Sequence, residues 1–386
     1  MSEYLFRNKP NVMMEESYAW LTDILESHSG NEQRIEIRKS PRQNLEWRVL
    51  CNNPVLYTRM KSMILGNKHH SFTIPLWHEA QFLDSAVSSG QTVINVDTRY
   101  HDFREKSYVV LWKDEVYCEA KEIISLTDSS ITLDSELLIS YTAIDYVMPA
   151  KKAWLLQPVD FTIYPDITQE TTFSWHIENN RALPELTLGT QYKTRDVLVN
   201  AFDITGEGIS KKISRATNII DYETGAFTVF SRLDWSTQTI ESLAFYLKGP
   251  EDIFNFKRWL HTIKGRYKSF WVPNHQFDIT PTSVSGADLV VQSIGYTTYL
   301  QDNPVFKHIA FYGYDGTIAI REIMGATQDT FAVETLILDS SIGMSLDDVK
   351  YVCFIGLYRM NSDRVEVSWQ NFNEANITFS VLGVKE

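Results

Sequence analysis

Hydrophobic and polar residues alternate in short runs along most of the chain. The short strand-like runs include 109–112, 130–133, 145–148, 309–312, 317–320 and 351–354; 130–133 alternates strictly, whereas 109–112, 309–312 and 351–354 are apolar throughout. Alternation with period two, bounded by polar turns, is typical of half-buried antiparallel strands. The pattern therefore predicts a mainly β protein with a few helices, in the β-rich α+β class.

One stretch of sequence occurs twice. Each copy has an aromatic residue, an Arg two positions on, a large apolar residue at the third, Ile at the seventh and Gly at the ninth. In order, these are Tyr57, Arg59, Met60, Ile64 and Gly66, and then Phe256, Arg258, Trp259, Ile263 and Gly265. The spacing predicts a helix packed on a sheet in each copy. Each Gly is expected to end its helix in the left-handed conformation.

A Ser-Phe-x-Ile/Val-Pro element follows each helix, at 71–75 and 269–273. We expect Pro75 and Pro273 to end these strands, because proline has no N–H to donate to a ladder. A long internal repeat indicates one domain type presented twice.

Each copy is expected to contain a hairpin, the helix, the Ser-Phe strand, a small β-barrel and a closing hairpin. The predicted hairpins join 34–37 to 45–49, 160–163 to 171–175, 218–222 to 226–230, and 364–367 to 376–380. The predicted boundaries are an arm at 1–31 with a short amphipathic helix from Tyr18 to Leu25, copy one at 32–179 with its barrel at about 80–150, a linker at 180–216, and copy two at 217–386 with its barrel at about 277–358.

Composition narrows the function classes. The net charge of −13 over 386 residues argues against a phosphate-binding surface, since nucleic-acid binders present basic patches. Three scattered cysteines favour folding in a reducing, intracellular compartment. No apolar run reaches eighteen residues, so no membrane insertion is expected, and residues 1–11 carry no signal-peptide core.

No catalytic motif stands out. His69, His70 and His78 lie close in sequence but have no counterparts in the second copy. No nucleophile elbow, dinucleotide fingerprint or phosphate-binding loop is present. We therefore expect no enzyme activity, no cofactor and no metal site. Glu122 and Glu322 match between the copies, which an edge-strand charge against wrong pairing explains as well as an acid role does.

Several stretches resemble tail-tip or baseplate proteins of long-tailed bacteriophages, which are related to distal tail and tail-tube proteins. They are 20–22, 30–34, Pro41-Arg42 and 71–77 in the first part, and 256–259, Gly265-Arg266, 269–273 and 363–367 in the second. The resemblance implies two tandem tail-tube-like β-sandwich or hairpin domains, each with one packed helix outside and a small barrel as a peripheral decoration. It also implies a structural role.

The resemblance further implies location in the virion tail, with assembly in the host bacterial cytoplasm. Tube rings in that family are sixfold, so three chains of two domains each would complete a pseudo-sixfold ring. The implied partners are the chain itself (a homotrimer, with a homohexamer as the alternative), the tail-tube, tape-measure and baseplate hub proteins, and genomic DNA passing through the channel without specific binding.

Three alternatives stay open. One is a sixfold distal-tail adaptor in which only one copy joins the tube. Another is a carbohydrate- or receptor-binding module that uses Trp77, Trp112, Trp235 and Trp271. The last is an enzyme that degrades cell-wall polymer.

The candidate structural and interface residues are those of the repeated elements and hairpins. They are Arg34, Glu36, Arg59, Phe72, Pro75, Arg258, Trp259, Phe270, Pro273 and Arg364. For Arg59 and Arg258, two interpretations remain: a carboxylate partner on a neighbouring domain or subunit, or a solvated helix position.

Overall fold

The computed structural model is mainly β. It describes residues 4–11, 14–27, 29–67, 70–164, 168–199, 211–214, 217–231 and 237–386. The first half contains the helix α1 (Pro54–Gly66), a 3-10 turn at Trp77–Glu79, and the strands β1 (Met14–Ala19), β2 (Thr22–Glu26), β3 (Glu32–Glu36), β4 (Arg42–Cys51), β5 (Phe72–Pro75), β6 (Gln81–Phe82), β7 (Val93–Asn95), β8 (Tyr108–Trp112), β9 (Cys118–Thr127), β10 (Ser130–Leu133), β11 (Tyr146–Leu155), β12 (Phe161–Ile163) and β13 (Gln169–Ile177).

The second half has the same kinds of element. It contains the helix α2 (Pro250–Ile263), 3-10 turns at Pro304–Phe306 and Leu346–Asp348, a π turn at Tyr296–Leu300, and the strands β14 (Gln191–Tyr192), β15 (Arg195–Asp196), β16 (Lys211–Ser214), β17 (Thr217–Asp221), β18 (Phe227–Ser231), β19 (Thr237–Lys248), β20 (Ser269–Pro273), β21 (Pro281–Ser285), β22 (Asp288–Gln292), β23 (His308–Gly313), β24 (Ile318–Thr330), β25 (Val333–Leu338), β26 (Val349–Met360), β27 (Arg364–Asn371) and β28 (Glu374–Gly383).

Ten strand pairings of the first half recur in the second. In the first half they are β1–β4, β2–β3, β4–β13, β12–β13, β11–β13, β5–β11, β8–β11, β8–β9, β9–β10 and β7–β10. In the same order, the second half has β16–β19, β17–β18, β19–β28, β27–β28, β26–β28, β20–β26, β23–β26, β23–β24, β24–β25 and β22–β25. All of them are antiparallel. Glu122 and Glu322 hold equivalent ladder positions, opposite Tyr108 and His308.

One ladder joins the halves. β1 pairs with β4 on one side and with β27 on the other. The result is a continuous antiparallel sheet in the order β12–β13–β4–β1–β27–β28–β19–β16. Alternate residues of β4 and β27 are buried on one face of this sheet, and the residues between them are largely exposed on the other.

A single hydrophobic core lies under this sheet and takes side chains from both halves, including Trp47 and Trp175 from the first and Trp259 and Phe379 from the second. Three smaller clusters lie apart from it among the described residues: one within 83–147, one within 279–354, and one that joins Val197 and Trp271 to strands of the second half. Each half therefore contributes to the shared core and also encloses an apolar cluster of its own.

The helix predicted from Tyr18 to Leu25 is wrong, because the segment forms the end of β1 and most of β2. Trp20, Leu21, Ile24 and Leu25 have helical spacing. The end of β1 nevertheless lies between β4 and β27, and β2 pairs with β3, so strand partners are available throughout and tertiary context overrides local propensity.

The hairpin predicted between 34–37 and 45–49 is also wrong. β3 pairs with β2, the strand just before it, through a short turn at Gly30, and β4 pairs with β1 and β13. The other three predicted hairpins are confirmed as β12–β13, β17–β18 and β27–β28.

The two helices end differently. Gly265 has φ of 64°, as predicted, and follows Lys264, which is also left-handed at 58°. The prediction for Gly66 is wrong, because Gly66 is the last helical residue and the cap is Asn67 with φ of −106°. The strands β5 and β20 do end at Pro75 and Pro273. Among the described residues, neither helix is long and apolar enough to span a bilayer.

Gly265 should be the more sensitive of two left-handed glycines. A Cβ atom there would lie 2.6 Å from Asp363 Oδ1 and 3.0 Å from Asp363 Cα, whereas Gly286, with nearly the same φ, has open space around it. We expect Gly286→Ala to lower the free energy of unfolding by about 1 kcal/mol for the backbone conformation alone. Gly265→Ala should cost about 1–3 kcal/mol more, because the backbone contact has to shift. Urea denaturation of both variants measures the difference, and equal losses would contradict this interpretation.

Candidate functional site: the interface between the two halves

β1 is the central element of the interface. It lies in register with β27 from Met14 opposite Trp369 to Ala19 opposite Arg364, and with β4 from Glu15 opposite Glu46 to Ala19 opposite Arg42. Both edges of β1 are therefore hydrogen-bonded within the described part of the chain. An unpaired edge between the halves would leave backbone donors and acceptors without partners.

A cluster of charged side chains is buried directly beneath β1. Lys257 Nζ lies 2.8 Å from Glu79 Oε1 and 3.3 Å from Glu16 Oε2, and all three side chains are at most 5% exposed. Glu16 also accepts hydrogen bonds from the Tyr18 hydroxyl and, at 3.1 Å, from Trp369 Nε1. The cluster therefore ties β1 to helix α2, to the 3-10 turn of the first half and to β27.

Burial opposes ionisation of Glu16. Lys257, His78 and the Tyr18 hydroxyl outweigh burial and lower the pKa of Glu16 to about 2. Burial likewise opposes the charged form of Lys257, but Glu16 and Glu79 hold its pKa well above the usual value. The group is thus an ion pair extended by a second carboxylate, and it is charged at neutral pH.

His78 lies between the two carboxylates, with Nε2 at 3.7 Å from Glu16 and 3.8 Å from Glu79. Burial lowers its pKa despite these neighbours, so the ring is neutral at pH 7. Its ring also packs on Trp369, with centroids 4.6 Å apart. A neutral imidazole here avoids a further buried charge.

The polar network continues into the first half. Lys151 Nζ lies 2.5 Å from Asp102 Oδ2 and donates to Gln43 Oε1 at 2.8 Å. The Asp102 backbone N–H donates to Glu79 Oε2 at 2.6 Å, and Gln43 donates to Glu16. The network fixes β4 and β11 relative to β1, and the side chains of Glu16 and Glu79 are at most 5% exposed.

The β2–β3 hairpin forms a second contact between the halves. Glu32 accepts from Arg359 through both carboxylate oxygens, each at 2.8 Å, and Glu36 pairs with Lys264 at 2.9 Å. Arg34 pairs with Glu32 and donates to the Tyr267 carbonyl at 3.2 Å. One face of the hairpin is thus docked by charged groups onto the second half.

The base of the hairpin is fixed by Asp363. This carboxylate accepts from the Thr22 backbone N–H at 2.8 Å and from the Arg266 backbone N–H at 2.9 Å. Arg266 also donates to the Thr22 carbonyl at 2.9 Å. Backbone and side chain together set the angle at which the hairpin leaves the sheet.

The predicted interface residues fall into distinct places. Arg34 and Glu36 lie in the hairpin contact just described. Arg364 opens β27 opposite Ala19, and its exposed side chain pairs with Glu366 at 3.0 Å. Trp259 and Phe270 pack edge-to-face in the shared core at 5.1 Å, and Phe72 packs on Trp175 at 5.4 Å.

The matched arginines do different things. Arg258 donates to the carbonyls of Pro184 and Glu185, so it binds the connecting segment rather than a carboxylate. Arg59 is exposed on α1 and lines a cleft with Arg7 and Glu115. The structure therefore does not bring the two together.

The buried network was missed by the sequence analysis. Its members are Glu16, His78, Glu79, Asp102, Lys151 and Lys257. A partial signal existed, because Met14, Glu16 and Tyr18 alternate with period two and place Glu16 on an apolar face. No comparable pattern marks the others, whose proximity arises only from tertiary structure.

Among the described residues, one group of side chains could together ligate a metal ion: His308, Glu322 and Glu386. Lys193 Nζ lies 2.7 Å from each of the two carboxylates, so an ammonium already takes the cation position. Of the histidines examined from sequence, His70 stacks on Tyr4 at 5.1 Å, and His69 lies outside the described residues.

Of the tryptophans considered for glycan binding, Trp77, Trp112 and Trp271 are buried, and Trp235 lies outside the described residues. No model of a known protein family matches the chain, and no curated protein sequence matches it either.

Removing the buried ammonium should be costly. Lys257→Met leaves Glu16 and Glu79 without their cation, so we expect the free energy of unfolding to fall by about 3–5 kcal/mol. Lys268→Met is the matched control, because the Lys268 side chain is 40% exposed and its Nζ lies 3.8 Å from Glu185 Oε2. That change should stay within about 1 kcal/mol. Urea denaturation at pH 7 checks both, and a loss below 1 kcal/mol for Lys257→Met would show that the cluster does not hold the halves together.

Acid should destabilise the interface from pH 6.5 downward. Burial lowers the pKa of His261 to about 3, and burial also lowers that of His78. Below pH 6.5 the unfolded state then binds more protons than the native state, so stability falls by about 1.4 kcal/mol per pH unit for each such group. Glu16, with its pKa of about 2, adds to the loss below about pH 4.5.

The variant His261→Asn isolates one part of this effect. Asn can still accept from the Leu183 N–H, which His261 Nδ1 accepts at 3.2 Å. We expect the difference in urea midpoint between pH 7 and pH 4.5 to shrink in His261→Asn and to persist in the exposed control His70→Asn. Equal pH dependence in both variants and in the parent chain would refute the assignment.

Proposed function

We propose that this chain is a structural virion protein of the tail tip or baseplate of a long-tailed phage. In this role three copies form a ring that continues the tail tube and connects it to hub or receptor-binding components. The type of assembly, a phage tail tip or baseplate, is inferred from the sequence resemblance. The observation that carries the proposal is the repeated strand network together with the single ladder that joins its two copies.

The repeat supports two tandem domains of one type. Its extent in strands is 14–177 and 211–383, wider than the 32–179 and 217–386 expected from sequence, because β1 and β16 open the two copies. Each copy carries a helix, α1 or α2, and an apolar cluster of its own, which we interpret as the tube-type domain with its inserted barrel. In the described linker, Asn180 and Ala182 are hydrogen-bonded to Pro41 and Ser40 of the first copy. β14 and β15 lie against the second copy, where the Leu198 N–H donates to the Trp271 carbonyl.

The β1–β27 ladder is the contact between consecutive domains. It joins the first strand of copy one to the penultimate strand of copy two. In the repeat, β16 corresponds to β1 and β12 corresponds to β27. The equivalent contact would therefore join β16 to β12. In the described residues no ladder does so, and β12 and β16 form the two ends of the sheet. The contact therefore occurs once inside the chain, and the equivalents of its two strands lie at the two ends of the sheet. We propose that these two ends make the same contact, head to tail, between neighbouring chains.

Head-to-tail contacts close into rings or continue as filaments, depending on the rotation per contact. Three chains of two domains supply six equivalent positions, which matches the sixfold tube implied by the resemblance. Closure would also pair both exposed edges, which are otherwise a liability for unspecific strand addition.

The face of the sheet opposite the core suits an aqueous channel. It carries side chains of both signs, among them Glu15, Glu46, Arg48 and Glu366, and few large apolar ones. Such a wall can face passing DNA without binding it, since tight binding requires clustered basic groups. The tail-tube, tape-measure and hub proteins remain the proposed neighbours.

Mass measurement of the purified assembly, by native mass spectrometry or light scattering, tests the proposal. A closed trimer is expected. A closed hexamer would instead favour the adaptor in which one copy per chain joins the tube, and a monomer at micromolar and higher concentrations would refute ring formation. Glycan binding without assembly would favour the receptor-binding alternative.

A further inference from the structure

The β17–β18 hairpin has the same construction as the docked β2–β3 hairpin. In each, five residue pairs form the ladder, from Thr22 opposite Glu36 and from Thr217 opposite Ser231. Each turn has a Gly with φ of 81°, Gly30 or Gly225. The two hairpins are therefore equivalent parts of the repeat, one at the start of each copy.

Their surroundings differ. In the β2–β3 hairpin, residues 32, 34 and 36 are partly buried against the second half, whereas 33 and 35 are exposed. In the β17–β18 hairpin all of β17 is exposed, and Ile219, Phe227 and Val229 are 65%, 66% and 47% exposed. The face that docks in the first hairpin is thus uncovered in the second.

The chemistry of that face also differs. By the ladder register, Phe227 takes the place of Glu32, because each pairs with the last residue of the preceding strand. Val229 likewise takes the place of Arg34. An isolated hairpin with this many exposed apolar side chains marks an interaction site, since folded chains seldom expose contiguous apolar surface of this kind.

The equivalent docking surface on the first half has changed in the same direction. Arg359, the partner of Glu32, follows Tyr358, which pairs with Phe270; Trp154 follows Ala153, which pairs with Phe72. Trp154 therefore takes the place of Arg359. In the same way Leu65 before Gly66 takes the place of Lys264 before Gly265, and Leu156 lies two residues after Trp154.

Four charged residues of the first contact, Glu32, Arg34, Arg359 and Lys264, thus correspond to the apolar residues Phe227, Val229, Trp154 and Leu65, whereas Glu36 corresponds to Ser231. Leu65 and Leu156 are 57% and 65% exposed, as an uncovered partner surface would be. The β17–β18 hairpin and the first-half surface at Trp154 and Leu65 do not touch within the described chain, yet both have become apolar. A contact between these two surfaces in neighbouring chains would explain why they changed together.

We propose that the β17–β18 hairpin docks on the first half of a second copy of this chain, with Phe227 against Trp154 and the end of β18, at Ser231, toward Leu65. The inference rests on the head-to-tail assembly proposed above. The contact continues the β16–β12 edge pairing, in which Lys211 would lie opposite Phe161 of the neighbour. Charged docking inside the chain and apolar docking between chains keep the two contacts distinct, because a buried unpaired charge disfavours the wrong match.

A charge-swap series tests the contact. Phe227→Glu should raise the concentration at which half of the chains are assembled at least tenfold, because it places a carboxylate against Trp154. Phe227→Glu combined with Trp154→Arg should recover most of the assembly, since it recreates the Glu32–Arg359 pair. The control is Phe331→Glu, at a fully exposed Phe in the β24–β25 turn, which should assemble as the parent chain does.

Photocross-linking keeps the test independent of folding defects in the double variant. A benzophenone amino acid at position 227 of the otherwise unchanged chain should yield an intermolecular adduct within residues 153–157 or 63–67. If closed rings form but the adducts lie only at other residues, or only within one chain, the proposed hairpin contact is wrong. The ring proposal would not be affected by that result. A parent chain that forms no assembly, with no intermolecular adduct, would overturn both proposals.

Discussion

The insertion of β1 between β4 and β27 is the constraint on which the rest of the structure depends. Each half ends its sheet at an edge that needs a hydrogen-bonding partner, and β1 satisfies the edges of both at once. Glu16 on the buried side of β1 then requires a cation, which Lys257 of the second half supplies. Backbone pairing and charge compensation therefore act on the same strand, and the two halves share one core because this strand joins them.

The same constraint would let the chain act as a unit of the proposed assembly. A strand that opens one repeat and completes the sheet of the next has an equivalent strand at the far end. That strand is β16, which among the described residues pairs with β19 at one end of the sheet, and the neighbouring hairpin carries apolar rather than charged side chains. In the proposed ring, the contacts within and between chains share one backbone geometry and differ in side-chain chemistry, so that one polypeptide can specify both. Burial of the ionic cluster within the chain would also keep its strongest charge pairs away from the surfaces proposed to meet between copies.

Much of the strand content and the internal repeat could be predicted from the sequence, because both depend on local patterns. The alternation in 364–367 and 376–380 predicts a hairpin that the structure contains, and the match of Glu122 with Glu322 corresponds to equivalent ladder positions. The predicted helix at Tyr18–Leu25 is wrong because apolar residues in a short segment fit either period. The strands that pair with Tyr18 and Ala19 lie more than twenty and more than three hundred residues away along the chain, so local sequence does not reveal them. The ionic cluster could not be predicted, because Glu16, Glu79 and Lys257 meet only after both halves have folded. Of the expected interface residues, Arg34 and Glu36 lie in the contact between the halves, whereas Arg59 and Arg258 share a sequence position but not a set of partners.

We infer that consecutive domains meet through one repeated strand contact, made once inside each chain and once between chains. A cryo-electron microscopy reconstruction of the assembled particle, at a resolution that separates strands, would show this contact. We expect a threefold ring in which β16 of each chain is hydrogen-bonded to β12 of its neighbour and the sheet runs unbroken around the channel. A ring whose chains touch through other surfaces, with both of these edges facing solvent, would contradict it.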